Sequence, residues 1–236
     1  MEFKLPFLPI SIRINKIPQK TESKITDRSY NKVFVIGFNK TGTTTVKKVL
    51  HDFGFNIGNQ PIAEILGLEW GKTGNEEKII KYCHSADAFQ DSPFSRPNLY
   101  KKLDLSFPNS KFILTVRDDE NQWFNSLVRF HSKLWSSNKE LPPTPKDLEE
   151  AIYRYKGMPL DSKKIFYNYP EVDLYDREYY INNYLKHNKD VESYFDNRPN
   201  NFIKINVGNP GDYKRLANFL NVQTNSNKFP HLNKTT

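Results

Sequence analysis

The stretch that decides the fold runs Val33-Phe-Val-Ile-Gly-Phe-Asn-Lys-Thr-Gly-Thr-Thr-Thr45. Its first four residues are apolar and mostly β-branched, too short a run for a helix, and read as a buried strand. Gly37 and Gly42 permit a tight turn after it, and Val46, Val49, Leu50 and Phe53 then recur at helical spacing. Strand, glycine-bearing loop and helix in that order present backbone N–H groups at a helix N-terminus, where an anion is favoured. The two glycines have the separation found in a nucleoside-triphosphate loop, G-x-x-x-x-G-K-[ST]. Here Thr43 and Thr44 fill the K-[ST] positions, and the lysine, Lys40, comes before the second glycine. The loop is an anion cradle, but not of the Walker type.

Working outward, strand-like runs at 32–36, 86–90, 111–116 and 202–207, with a weaker one at 53–57, alternate with helical patterns. These helical patterns fall at 43–53, 75–83, 98–105, 121–135, 176–195 and 212–220. The alternation predicts an α/β, three-layer P-loop-like fold with a central parallel sheet flanked by helices. Residues 1–29, rich in Lys, Pro, Ser and Thr, read as an arm lying on the domain or partly disordered, and residues 30–236 as the domain itself. Residues 141–175 interrupt the pattern with Pro142, Pro143, Pro145, Pro159 and Pro170 around a short helix near 146–156. So long an excursion reads as a lid or substrate wall, with a purely structural flap as the alternative.

A second candidate site lies in Lys111-Phe-Ile-Leu-Thr-Val-Arg-Asp-Asp-Glu-Asn-Gln-Trp-Phe-Asn-Ser126. The strand delivers Arg117 to the carboxyl end of the sheet, where parallel folds bind ligands. A guanidinium there grips phosphate with a planar fork, and Ser126 on the next helix offers a hydroxyl. An ion pair of Arg117 with Asp118, Asp119 or Glu120 is the competing reading. A third element, Phe89-Gln-Asp-Ser-Pro93, sets Asp91 after a strand, as a base or as an Asx turn before Pro93.

Together these motifs resemble the sulfotransferases that use 3′-phosphoadenosine 5′-phosphosulfate (PAPS), in particular a single-domain, bacterial-type branch. In their 5′-phosphosulfate loop a lysine is followed by a small polar residue, glycine and threonine. The Tyr179 to Phe195 helix, the strand after it and the Phe229-Pro-His tail are also similar to that branch. The resemblance implies that Asn39, Lys40, Thr41, Gly42, Thr43, Thr44 and Thr45 hold the 5′-phosphosulfate, with Lys40 catalytic. It likewise implies that Arg117 and Ser126 hold the 3′-phosphate, although their interval is one residue longer than the family usually has, and that Tyr180 lies beside the adenine. Asp91 stands where many members carry a histidine base. His51, His84, His131, His187 and His231 are alternatives, none at a motif position. The implied reaction moves a sulfuryl group from PAPS to a hydroxyl or amine on a small-molecule, carbohydrate or lipid acceptor, without a metal, leaving adenosine 3′,5′-bisphosphate. Two other readings stay open: a P-loop kinase with a degenerate loop, Asp91 helping to hold Mg²⁺, and a non-catalytic nucleotide-binding protein.

Composition is compatible with this picture. A formal charge of +8 suits an anionic partner, and the resemblance narrows that partner to a nucleotide rather than nucleic acid. The 17 Phe, 13 Tyr and 3 Trp supply core volume that a hydrophobic fraction of 37% understates. A lone Cys83 leaves no intrachain disulfide, which favours a reducing compartment. No apolar run approaches a membrane span, and Asn39-Lys40-Thr41 places a glycosylation pattern inside the anion loop, where a glycan would block it. The expected location is cytoplasmic.

Overall fold

The computed structural model describes residues 23–230. Among them the elements run β1 (Ser23–Ile25), β2 (Val33–Val35), α1 (Thr43–Asp52), α2 (Gln60–Thr73), α3 (Glu77–Tyr82) and, after a 3₁₀ turn, β3 (Ala88–Gln90). They continue with α4 (Leu99–Ser106), β4 (Lys111–Thr115), α5 (Glu120–Trp135), α6 (Pro145–Glu150), α7 (Met158–Phe166) and α8 (Arg177–Phe195). The chain closes with β5 (Phe202–Ile205), α9 (Asp212–Phe219) and β6 (Val222–Thr224). Four strands form a parallel sheet in the order β3-β2-β4-β5, and β1 pairs antiparallel with β6 beside it. The α/β class and the central parallel sheet between helices are as the sequence predicts.

Strand alternation divides the core cleanly. Val33, Val35, Ile113, Ile203 and Ile205 face one side, where Val46, Val49 and Leu50 of α1 and Tyr213, Leu216 and Ala217 of α9 cover them. Phe34, Ile36, Phe89, Phe112 and Leu114 face the other, against α3, α4 and the end of α8. That second face is largely aromatic: the Phe34 ring lies 5.4–6.0 Å from those of Phe89, Phe94, Phe107 and Phe112. A third cluster joins α5 and α8 through Trp123, Leu127, Tyr180 and Tyr184.

Several boundaries differ from the sequence reading. The weak strand at 53–57 reduces to one bridge, Ile57 to Ala88. Helices α2 and α7 are additions. Apolar residues surround α2 instead of forming one stripe, with Ile62 and Ile65 exposed and Ala63 and Leu68 buried, so no period stands out. Helix α7 starts with Met158-Pro159, and proline at the first turn is a helix start that its proline-rich setting hides. Strand β1 falls within the expected arm, of which residues 1–22 lie outside the described residues. So does the tail from residue 231.

Successive parallel strands are laid as second, first, third, fourth. The chain therefore reverses direction across the sheet between β2 and β4, and the carboxyl ends of those two strands bound the crevice where such sheets take ligands. Gly37 is required there: a Cβ on it would stand 2.2 Å from Thr115 Oγ1 and 2.3 Å from Thr115 O. Glycine lets the loop after β2 cross the end of β4.

Candidate active site at the sheet switch point

The loop 37–42 is held from beneath and from the side. Thr41 is fully buried, its hydroxyl donating to Phe38 O and contacting Thr115 Oγ1, so this side chain braces the loop instead of facing a ligand. Trp123 Nε1 donates to Asn39 O at 3.0 Å, and the Trp123 ring stacks on Tyr184 at 4.5 Å. Lys40 and Gly42 take left-handed backbone, φ 68° and 101°. At Gly42 a Cβ would meet Val207 Cγ2 at 2.5 Å. The N–H groups of Thr43, Thr44 and Thr45 precede the first intrahelical bond, Val46 N to Gly42 O at 3.1 Å, and Gly42 has no side chain to cap them. Three uncapped donors and a left-handed turn make a cradle for an anion.

Arg117 ties the two halves of the crevice together. Its backbone N–H donates to Tyr184 Oη at 3.1 Å and its Nε to Lys40 O at 2.6 Å, one of the guanidinium's five N–H donors. The competing ion-pair reading is not what forms. Asp119 caps α5 through Gln122 N at 2.7 Å, and Asp118 accepts from Gln122 Nε2 and Asn206 Nδ2. Burial, then the neighbouring Arg117, depress the Lys40 ammonium pKa, with Asp91 opposing. The Lys40 Nζ rests 3.9 Å over the Phe130 ring. Ser126 is half-buried on α5, and the one side-chain hydrogen bond of Arg117 among the described residues goes to Lys40, not to it.

Asp91 directly follows β3, which pairs with β2, and has φ 62°. Its two carboxylate oxygens have different partners. Its Oδ1 accepts from Ser92 N at 2.8 Å, a turn contact, while Oδ2 accepts from Thr43 Oγ1 at 3.4 Å, at the head of α1. Burial raises its pKa first and Glu64 adds to the rise, while Ser92, Arg96 and Thr43 oppose. A carboxyl lifted in this way is a better proton acceptor than a free aspartate.

Asp91, Asn39 and Thr44 line a cavity of about 420 Å³. Its other walls are α2, the end of α5, and Tyr153, Arg154, Met158 and Lys163 of the 141–175 excursion. Sequence reasoning missed Glu64, Arg96, Arg154 and Lys163, which have no motif spacing and, as single charges, read as solvated surface. Of the histidines, His131 lines the cavity with Nδ1 3.1 Å from Tyr175 Oη. His187 donates from Nε2 to Ile36 O at 2.8 Å, His51 and His84 are exposed, and His231 lies outside the described residues. The expected adenine contact at Tyr180 needs correcting. The residue is 1% exposed, its ring stacked at 4.6 Å on Tyr167 and at 6.1 Å on Tyr175, and its hydroxyl accepts from Lys163 Nζ at 2.7 Å. Tyr180 packs the floor beneath the cavity and has no face left for a base.

A family model described as a sulfotransferase domain matches residues 32–236. No curated protein matches the chain.

Proposed function

The chain belongs to the sulfotransferase family, and from that premise we propose that it takes the sulfuryl group of PAPS to a hydroxyl or amine of a small acceptor bound in the 420 Å³ cavity. The observation that carries this reading is the 3.4 Å contact between Thr43 Oγ1 and Asp91 Oδ2. It joins the head of the anion-binding helix to the carboxylate facing the cavity, so the two reactants would meet across it.

PAPS supplies a sulfuryl group already activated on a phosphate. The uncapped N–H groups of α1 and the Thr44 hydroxyl would hold that phosphate, and the Lys40 ammonium would neutralise charge growing on its leaving oxygen. Arg117, whose other N–H donors point to no carboxylate partner among the described residues, would take the 3′-phosphate, with Ser126 assisting from α5. Asp91 would accept the proton of the acceptor. Because Arg117 also holds the Lys40 carbonyl, filling the 3′-phosphate site would steady the loop that carries the lysine.

Thermal denaturation tests the reading. Adenosine 3′,5′-bisphosphate should raise Tm well beyond adenosine monophosphate or ATP with Mg²⁺, and Arg117→Ala should abolish most of that preference. Equal or greater stabilisation by ATP with Mg²⁺ would favour the kinase reading instead.

A further inference from the structure

The cavity beside Asp91 contains more positive charge than its own acids balance. Glu64 is matched: Arg154 Nε sits 2.6 Å from Oε2, and Tyr153 and Gln60 donate to Oε1 at 3.1 and 3.3 Å. Arg96 and Lys163 have no such partner. Among the described residues neither forms an ion pair, and both are seated on aromatic rings. The Arg96 guanidinium lies 4.0 Å over Phe166, and Lys163 Nζ lies 4.4, 4.6 and 4.9 Å from the ring centroids of Tyr175, Tyr167 and Tyr180. Lys163 is 3% exposed, with the Tyr180 hydroxyl as its hydrogen-bond acceptor.

Two neighbouring donors are also unmet. Arg96 Nε and Trp135 Nε1 are buried with no partner, and both side chains line the cavity. A buried donor without an acceptor costs about 1–3 kcal/mol, and an unpaired buried charge costs more. Three side chains that donate from nitrogen, two of them basic (Arg96 and Lys163) and two with an unsatisfied donor (Arg96 and Trp135), are complementary to an anionic group and to little else. Asp91, whose oxygens accept from Ser92 N and Thr43 Oγ1, forms no ion pair with Arg96 or Lys163 among the described residues.

The geometry points to an anion-recognising subsite in this cavity, formed by Arg96, Lys163 and Trp135, so that the acceptor carries a carboxylate or phosphate group besides the hydroxyl or amine that is sulfated. This rests on the reading of the cavity as the acceptor site. Burial, with Arg96 beside it, holds the Lys163 ammonium pKa far below its ordinary value, and an anion bound beside it would favour the charged form again. The volume suits a small molecule rather than a polymer.

Isothermal titration at constant ionic strength tests it. The protein is first saturated with adenosine 3′,5′-bisphosphate, so that the anion loop is filled, and then titrated with inorganic phosphate. Phosphate should still bind, and either Arg96→Gln or Lys163→Met should weaken it by about tenfold or more. The two variants guard against one failing to fold. In the same format 4-hydroxyphenylacetate should bind at least about tenfold more tightly than its neutral amide, a margin of one charge-assisted contact. Absence of phosphate binding, phosphate affinity unchanged in both variants, or equal binding of acid and amide would each overturn the proposal. Failure of the bisphosphate itself to bind would count against PAPS as donor while leaving the dependence on Arg96 readable.

Discussion

Asp91 holds a left-handed backbone, φ 62°, at a strand end where an ordinary residue would avoid it. That conformation turns one carboxylate oxygen back onto Ser92 N and leaves the other at Thr43, so the turn contact and the proposed proton acceptor belong to the same group. Asparagine preserves the turn and removes the base. Asp91→Asn should lower turnover of an alcohol acceptor by about 10²-fold while leaving bisphosphate affinity unchanged. Because burial lifts the folded-state pKa above that of the unfolded chain, the stability tied to this carboxyl is present below the unfolded value and is lost as pH rises through the folded one. The variant should therefore melt at or above wild type at neutral pH, with the gain vanishing in acid. A lower Tm at neutral pH, or full activity, would leave Asp91 as a turn residue. Lys40, Arg117 and Asp91 could be singled out as candidates because each lies in the turn that follows a strand readable as an apolar run. Arg96 and Lys163 were not, since their significance lies in partners that they lack, and a missing partner has no sequence pattern.

At the scale of elements, the site depends on how closely β2 and β4 approach. Gly37 and Thr115 are in contact because no Cβ intervenes, and this lets the Lys40 carbonyl reach Arg117 at 2.6 Å. Gly37→Ala would push a methyl into the backbone and hydroxyl of Thr115, so the cost should be about 3 kcal/mol by urea denaturation. A variant as stable as wild type would show that the strands part there without penalty. The parallel strands and the helices with one apolar stripe were readable from period alone. Helix α2 was not, because its buried side is narrow and Gly67 and Gly71 sit against Pro93 and Ile165 where a stripe would carry large side chains. Its role as a cavity wall follows from Glu64, which Tyr153 and Arg154 of the segment before α7 cover from the other side.

Across the whole molecule, helix α8 is fastened to the sheet by His187, 2% exposed, stacked on Phe38 at 4.7 Å and donating to Ile36 O. Burial depresses its pKa to about 4. The unfolded chain takes up this proton near 6.5 and the folded one only near 4, so the contribution is complete above 6.5 and is lost as pH falls toward 4. His131, also buried and shifted downward, adds in the same direction. Stability should fall by on the order of 3 kcal/mol over that window from His187 alone, and His187→Gln, which keeps a donor for Ile36, should flatten the slope of Tm against pH. An unchanged slope would assign the acid sensitivity elsewhere. The placement of the three tryptophans has a separate consequence. Trp123 lies under the 37–42 loop, face to face with Tyr184; Trp135 borders the 420 Å³ cavity, edge-on to Tyr153; and Trp70 joins α2 to Phe166 of α7. The molecule thus has a native chromophore at the loop, at the cavity and at the 141–175 excursion. Single-tryptophan versions would report loop, cavity and flap as separate optical channels, with no dye attached.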